Sequence, residues 1–213
     1  MQSITYKLTE FFLIFIVIPI SFTLEYPIWV KMTIGLLGFV YIVFVLLKIE
    51  KNKFKIAKGL GWKLFFRNAT IKLFGIAILT SVYVYFTKSS DLFVVLRQNP
   101  ELWIKILFIY SVFSVYPQEL IYRTFYFQRY EVLFKNKRQL LFINAVVFSL
   151  AHLFFGNTLV IILTFLGGLL FAFTFQRTKS TLLVSIEHAI YGCWLFTVGM
   201  GEMLGFPSSD FSF

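Results

Sequence analysis

Apolar residues fill seven stretches of this chain, at about 10–29, 32–48, 70–87, 106–128, 139–156, 158–175 and 181–200, separated by short polar or basic connections. Crossing the hydrocarbon core takes ~20 apolar residues, fewer where the bilayer thins or flanking side chains snorkel. The pattern predicts an all-α fold, a polytopic transmembrane helical bundle of about seven spans (six to eight). By organisation, residues 1–100 hold the N-terminal spans and a basic loop, 101–200 a helical core rich in polar motifs, and 201–213 a short tail with Pro207, Ser208 and Ser209. The apolar run Phe11 to Leu24 after Lys7 reads as a retained first span, because bulky aromatic sequence follows it where a signal peptide would have small residues.

Composition agrees with a bilayer setting. The 213 residues are 59% hydrophobic with 29 Phe, 11 Tyr and 4 Trp, and the mean hydropathy is +0.81; soluble domains lie well below that apolar share. The net charge of +10 comes from clustered basic residues, which argues for membrane topology and against a nucleic-acid partner. Lys48, Lys51, Lys53, Lys55, Lys58, Lys63, Arg67 and Lys72 face a single acid, Glu50, in the loop after the second span. Placing that loop in the cytoplasm puts the amino terminus there too, and leaves fifteen of the 20 basic residues inside, with Lys31, Lys88, Arg97 and Lys105 outside and Arg123 within a span. Phe54 to Phe66 reads either as an amphipathic piece on the inner leaflet or as an ordinary basic loop. The single cysteine, Cys193, excludes an intramolecular disulfide framework and a multi-cysteine metal site.

Five ionisable residues fall inside the predicted spans: Glu119 and Arg123 in the fourth, His152 in the fifth, Glu187 and His188 in the seventh. Charged groups at bilayer depth normally face a protein interior or a wet cavity and have partners. Glu119 and Arg123 are four apart, on one helix face in the favourable order for a pair. Pro117 predicts a kink just before the acid. With ~1.5 Å rise per residue, Glu119 lies about 15 Å from Arg129, His152 about 20 Å from Gln139 and His188 about 10 Å from Thr181, so all three reach the central zone. A carboxylate and imidazoles at that depth suit hydrolysis, in which one group takes a proton from water and another stabilises an oxyanion. The same Glu119, His152 and His188 equally suit three-ligand binding of zinc or another divalent metal, although there is no His-Glu-x-x-His run. Glu187, ~100° around its helix from His188, is a supporting partner, a pair for Arg123 or the lining of an aqueous entrance.

At these residues the chain resembles the CAAX-protease and bacteriocin-processing (CPBP, Abi) family of intramembrane peptidases. The family pattern Glu-Glu-x-x-x-Arg corresponds to Gln118-Glu119-Leu120-Ile121-Tyr122-Arg123, Phe-x-x-x-His to Phe148 through His152, and His-x-x-x-Asn or a variant of it to His188 through Gly192, which keeps only the His. The resemblance implies an endopeptidase of a multi-pass protein in a bacterial inner membrane, cleaving a membrane-associated peptide or lipidated protein. It implies that the first-motif acid and His152 activate water and that His188 stabilises the oxyanion, with Arg123 and Phe148 in support. Gln118 stands where the pattern has its first Glu, so Glu119 has to supply the carboxylate; Gly192 removes a side-chain amide. Those two departures also fit a catalytically impaired member serving as an immunity or scaffold protein. A small transporter or proton relay is the third reading, disfavoured by the lack of visible inverted repeats.

Overall fold

The first helix begins where the Ser3 side chain accepts the Tyr6 amide, an N-cap that satisfies one of the donors a helix start leaves open. It runs Ile4–Ser21, earlier than the hydropathy pattern predicts. Its end is set by hydroxyls: Ser21 donates to the Ile18 carbonyl and Thr23 to the Ile20 carbonyl, each at 2.7 Å. Lys31 reaches back to the Phe22 carbonyl at 2.7 Å, and Pro27, which cannot continue a helix from its own N–H, precedes the next one.

In this computed structural model, which describes residues 1–53, 59 and 61–206, seven helices are long and apolar enough to cross a membrane. They are Ile4–Ser21, Ile28–Ile49, Trp62–Thr87, Pro100–Leu133, Lys137–Phe155, Thr158–Thr178 and Thr181–Val198. The described residues contain no strand, and the chain is an all-α polytopic membrane protein. Leu79 and Phe86, 72% and 79% exposed, show the kind of outward apolar face that lipid covers. Of the segment Phe54 to Phe66, residues 54–58 and 60 lie outside the described residues, while Trp62 to Phe66 open the third helix; tail residues 207–213 also lie outside them.

The chain forms two compact units, each assembled from two stretches: Met1–Ile56 with Pro117–Thr181, and Ala57–Tyr116 with Leu182–Phe213. In the first unit, Phe15 is fully buried and its ring meets those of Tyr122, Tyr126 and Tyr130 edge-on at 5.4, 5.7 and 5.8 Å, the favoured aromatic geometry. The fifth and sixth spans approach closely at Ala145 and Gly168, where a Cβ on the glycine would sit 3.0 Å from the Ala145 Cα; small residues let membrane helices come this near. In the second unit, indole N–H groups find hydroxyls, Trp103 to Thr197 at 2.9 Å and Trp194 to Thr80 at 2.8 Å. Beyond the third span, Glu202 and Asp91 pair with Lys88 at 3.1 and 3.4 Å and raise its pKa.

Arg129 anchors the first unit. Its side chain is fully buried; Nε donates to Glu10 Oε2 and Nη1 to Glu50 Oε1, both at 2.7 Å, and Nη2 reaches the Met1 carbonyl. Tyr130 donates to the same Glu10 at 2.9 Å, and Tyr41 donates to its other oxygen. The first, second and fourth spans are thus tied by one cation between two carboxylates. Breaking a buried ion pair by removing one partner costs about 3–5 kcal/mol, because the other charge is left uncompensated. Arg129→Met is accordingly expected to lower the thermal unfolding temperature of the detergent-purified protein clearly, and an unchanged melting curve would show the cluster to be dispensable.

Candidate active site

The fourth span runs Pro100–Leu133 and is interrupted by two π-helical turns, Tyr110–Val115 just before Pro117 and Leu120–Phe125 just after Glu119. The first lies where the proline predicts a kink; π turns inside helices often mark functional sites. Glu119 and Arg123 are fully buried in the first unit and paired, Glu119 Oε2 to Arg123 Nε at 3.2 Å. Asn144, from the fifth span, completes the setting: its Oδ1 accepts from Arg123 Nη1 at 2.5 Å and its Nδ2 donates to the Tyr122 carbonyl at 2.6 Å. That carbonyl, within the second π turn, also accepts from Arg123 Nη1 at 3.3 Å.

Phe148 joins the first motif to the second. The Arg123 guanidinium lies over its ring, 4.7 Å from the centroid, a cation–π contact that gains strength away from water. The fifth-span α-helix ends at Leu150, so its last carbonyls lack intrahelical partners. The Phe148 carbonyl finds one in His152 Nδ1 at 2.7 Å. The Phe-x-x-x-His spacing thereby has a physical reason: four residues bring an imidazole past the helix end back onto an open carbonyl. A carbonyl only accepts, so Nδ1 carries the hydrogen and the neutral ring presents Nε2 as its basic nitrogen.

The seventh-span residues lie in the second unit. Glu187, expected to support the site or to pair with Arg123, accepts from Lys72 Nζ at 2.6 Å and from the Tyr191 hydroxyl at 2.9 Å; Arg123 has Glu119 instead. The Tyr191 hydroxyl is also 3.3 Å from the Ala69 carbonyl. His188 is buried with its Nε2 3.0 Å from the Tyr110 hydroxyl. Gly192 is buried one turn further on. The first unit thus assembles Glu119, Arg123, Phe148 and His152, and the second assembles Glu187, His188 and Gly192. Gln118, beside Glu119 in sequence, is half-buried.

Three partners escaped the sequence reading. Asn144, a lone amide in an apolar span, carried a signal that was open to notice. Lys72 was counted with the basic loop, and Tyr110 was one tyrosine among 11. Within each unit, the described residues contain no group of three or more His, Cys, Asp or Glu placed to hold a metal ion.

Residues 100–194 match the family model of Rce1-like proteins, type II CAAX prenyl endopeptidase Rce1-like. The stretch contains Gln118 to Arg123, Phe148 to His152 and His188 to Gly192. Over those residues the chain is similar to the Rce1-like family, which agrees with the resemblance read from the motifs. The seven apolar helices make it a multi-pass membrane protein. No curated protein and no solved structure matches the chain.

The tautomer offers a direct check. Nitrogen-edited NMR of ring-labelled protein at neutral pH should show the His152 signals of an Nδ1-protonated neutral imidazole. A spectrum of the Nε2-protonated form would contradict the hydrogen bond to Phe148.

Proposed function

We propose that this chain is an intramembrane endopeptidase that hydrolyses a peptide bond in a membrane-associated substrate, such as a lipidated tail, a leader peptide or a sorting signal. The observation that carries the reading is the Rce1-like match over residues 100–194, with Glu119, His152 and His188 standing in the three motifs. The basic asymmetry favours a cytoplasmic amino terminus, and the resemblance favours a bacterial inner membrane.

In the proposed step, water adds its oxygen to the scissile carbonyl carbon while the Glu119 carboxylate takes one of its protons. Gln118 cannot serve, since an amide is no base at ordinary pH. A carboxylate that meets Arg123 with one oxygen has lone pairs on its second. The Nε2 of His152, made basic by the Nδ1–H bond to Phe148, orients the attacking water. His188 steadies the carbonyl oxygen as it gains charge. The C–N bond then breaks, the proton on Glu119 passes to the departing nitrogen, and the carboxylic acid and amine so formed exchange the second water proton to leave a carboxylate and an ammonium. Zinc or another divalent metal held by Glu119, His152 and His188 is the other form of this proposal; a metal there would polarise the carbonyl and acidify the water.

A second reading, an impaired family member acting as an immunity or scaffold protein, draws on Gln118 and on the full burial of Glu119 against Arg123. One assay separates the two. Purified protein in liposomes should cleave members of a lipidated peptide library, with Glu119→Ala and His152→Ala each losing about 10²–10⁴-fold in rate and His188→Ala about 10²–10³-fold. Cleavage that survives all three substitutions would refute the assigned roles. Absence of cleavage, with a cellular phenotype intact in Glu119→Gln and His188→Ala, would establish the scaffold reading.

A further inference from the structure

The second π turn of the fourth span, Leu120–Phe125, deprives one carbonyl of its α-helical donor. In an α-helix the Tyr126 N–H would bond the Tyr122 carbonyl, four residues back; here it goes to the carbonyls of Ile121 and Arg123. Asn144 of the fifth span takes that donor's place, its Nδ2 reaching the Tyr122 carbonyl at 2.6 Å. The other end of the same amide accepts from Arg123 Nη1 at 2.5 Å, closer than the 3.2 Å contact of Arg123 with Glu119. Asn144 is fully buried, and its amide fits in one orientation: a carbonyl accepts and a guanidinium donates, so Nδ2 faces Tyr122 and Oδ1 faces Arg123. Phe148, one helical turn further along the fifth span, lies under the same guanidinium. All of these residues belong to the first unit.

We propose that Asn144 is the positioning residue of the first motif: it holds the fourth span in its π register and so sets the angle at which Arg123 meets Glu119. The inference rests on the peptidase reading and adds to it a residue that acts through Arg123. The π turn begins directly after Glu119 and contains Arg123, so its backbone fixes how the two side chains face each other. With the Asn144 donor removed, the Tyr122 carbonyl regains the Tyr126 N–H, the turn closes to α pairing, and Arg123 swings relative to the carboxylate that takes the proton from water. The ion pair itself survives, since charges four apart still meet on an α-helix; the angle is what changes. A misplacement of about 1 Å that originates away from the reacting atoms is enough to cost about 10²-fold in rate. Substrate binding needs no contact with Asn144, so its loss lowers kcat and spares KM.

Asn144→Leu keeps the branching of the side chain and removes both bonds. Asn144→Asp keeps an oxygen toward Arg123 and, ionised beside that cation, donates nothing to Tyr122. In each variant, kcat per folded protein in liposomes should fall about 10²-fold with KM within about threefold. A readout of the contact accompanies the kinetics. Tyr122-Arg123 is the one Tyr-Arg pair in the chain, so protein carrying ¹³C-carbonyl tyrosine and ¹⁵N arginine gives a single NMR signal for that peptide group, and its carbonyl resonance should shift in both variants. If wild type cleaves and either variant keeps its kcat although the resonance shifts, Asn144 is a structural residue and this inference falls while the peptidase reading stands. An unshifted resonance shows that the amide does not hold the Tyr122 carbonyl and overturns the inference as well, as does loss of folding in both variants. Failure of wild type itself to cleave overturns the peptidase reading and this inference with it.

Discussion

The Arg123 guanidinium is fully buried in a chain that has little water to offer it, and its partners organise the first unit around it. An unpaired charge at such depth costs several kcal/mol. Glu119 neutralises it, Asn144 accepts one of its hydrogens, and the Phe148 ring faces it. The requirement has a further effect, because Phe148 also holds His152 through its carbonyl. A chain of contacts therefore runs from the first-motif acid, through the arginine and the aromatic ring, to the second-motif imidazole. The spacings Glu-x-x-x-Arg and Phe-x-x-x-His are what helical periodicity demands of such a chain. The π turns on either side of Glu119 belong to the same account, since the second of them contains the Tyr122 carbonyl to which Asn144 and Arg123 both donate.

Arg129 shows that burial and pairing alone do not mark a reactive site. Its cluster with Glu10 and Glu50 obeys the same electrostatics, yet its partners are other acids, tyrosine hydroxyls and a terminal carbonyl. Glu10 and Glu50 also lie outside the family-matched segment. Glu119 differs in being linked through Arg123 and Phe148 to a histidine whose tautomer is set. The Lys72 and Glu187 pair in the second unit is of the structural kind as well.

Much of this was legible in the order of residues, and the parts that were not have physical reasons. Hydrophobic length exposes membrane helices well, so all seven apolar stretches correspond to helices of the structure. The first was read too late because Phe22, Leu24 and Tyr26 continue the apolar run, while hydroxyl capping at Ser21 and Thr23 and the following Pro27 end the helix. Ionisable residues deep within a span stand out, and Glu119, Arg123, His152, Glu187 and His188 did. Glu10, Lys72 and Arg129 lie nearer the span ends, where a charge looks like a loop residue, and only their distant partners reveal their pairing. Gly192 was visible as a departure from a motif. The close approach of Tyr110 to that glycine was not, because Tyr110 lies 82 positions away and one aromatic residue in an aromatic-rich chain carries no pattern.

Hydrolysis by activated water is the central claim, and isotope labelling tests it most directly. When wild-type protein in liposomes cleaves a lipidated peptide in H₂¹⁸O, mass spectrometry should find one ¹⁸O atom in the new C-terminal carboxylate, and the labelled product should vanish with His152→Ala. An unlabelled carboxylate, or labelled product formed equally well without the His152 imidazole, would contradict the account.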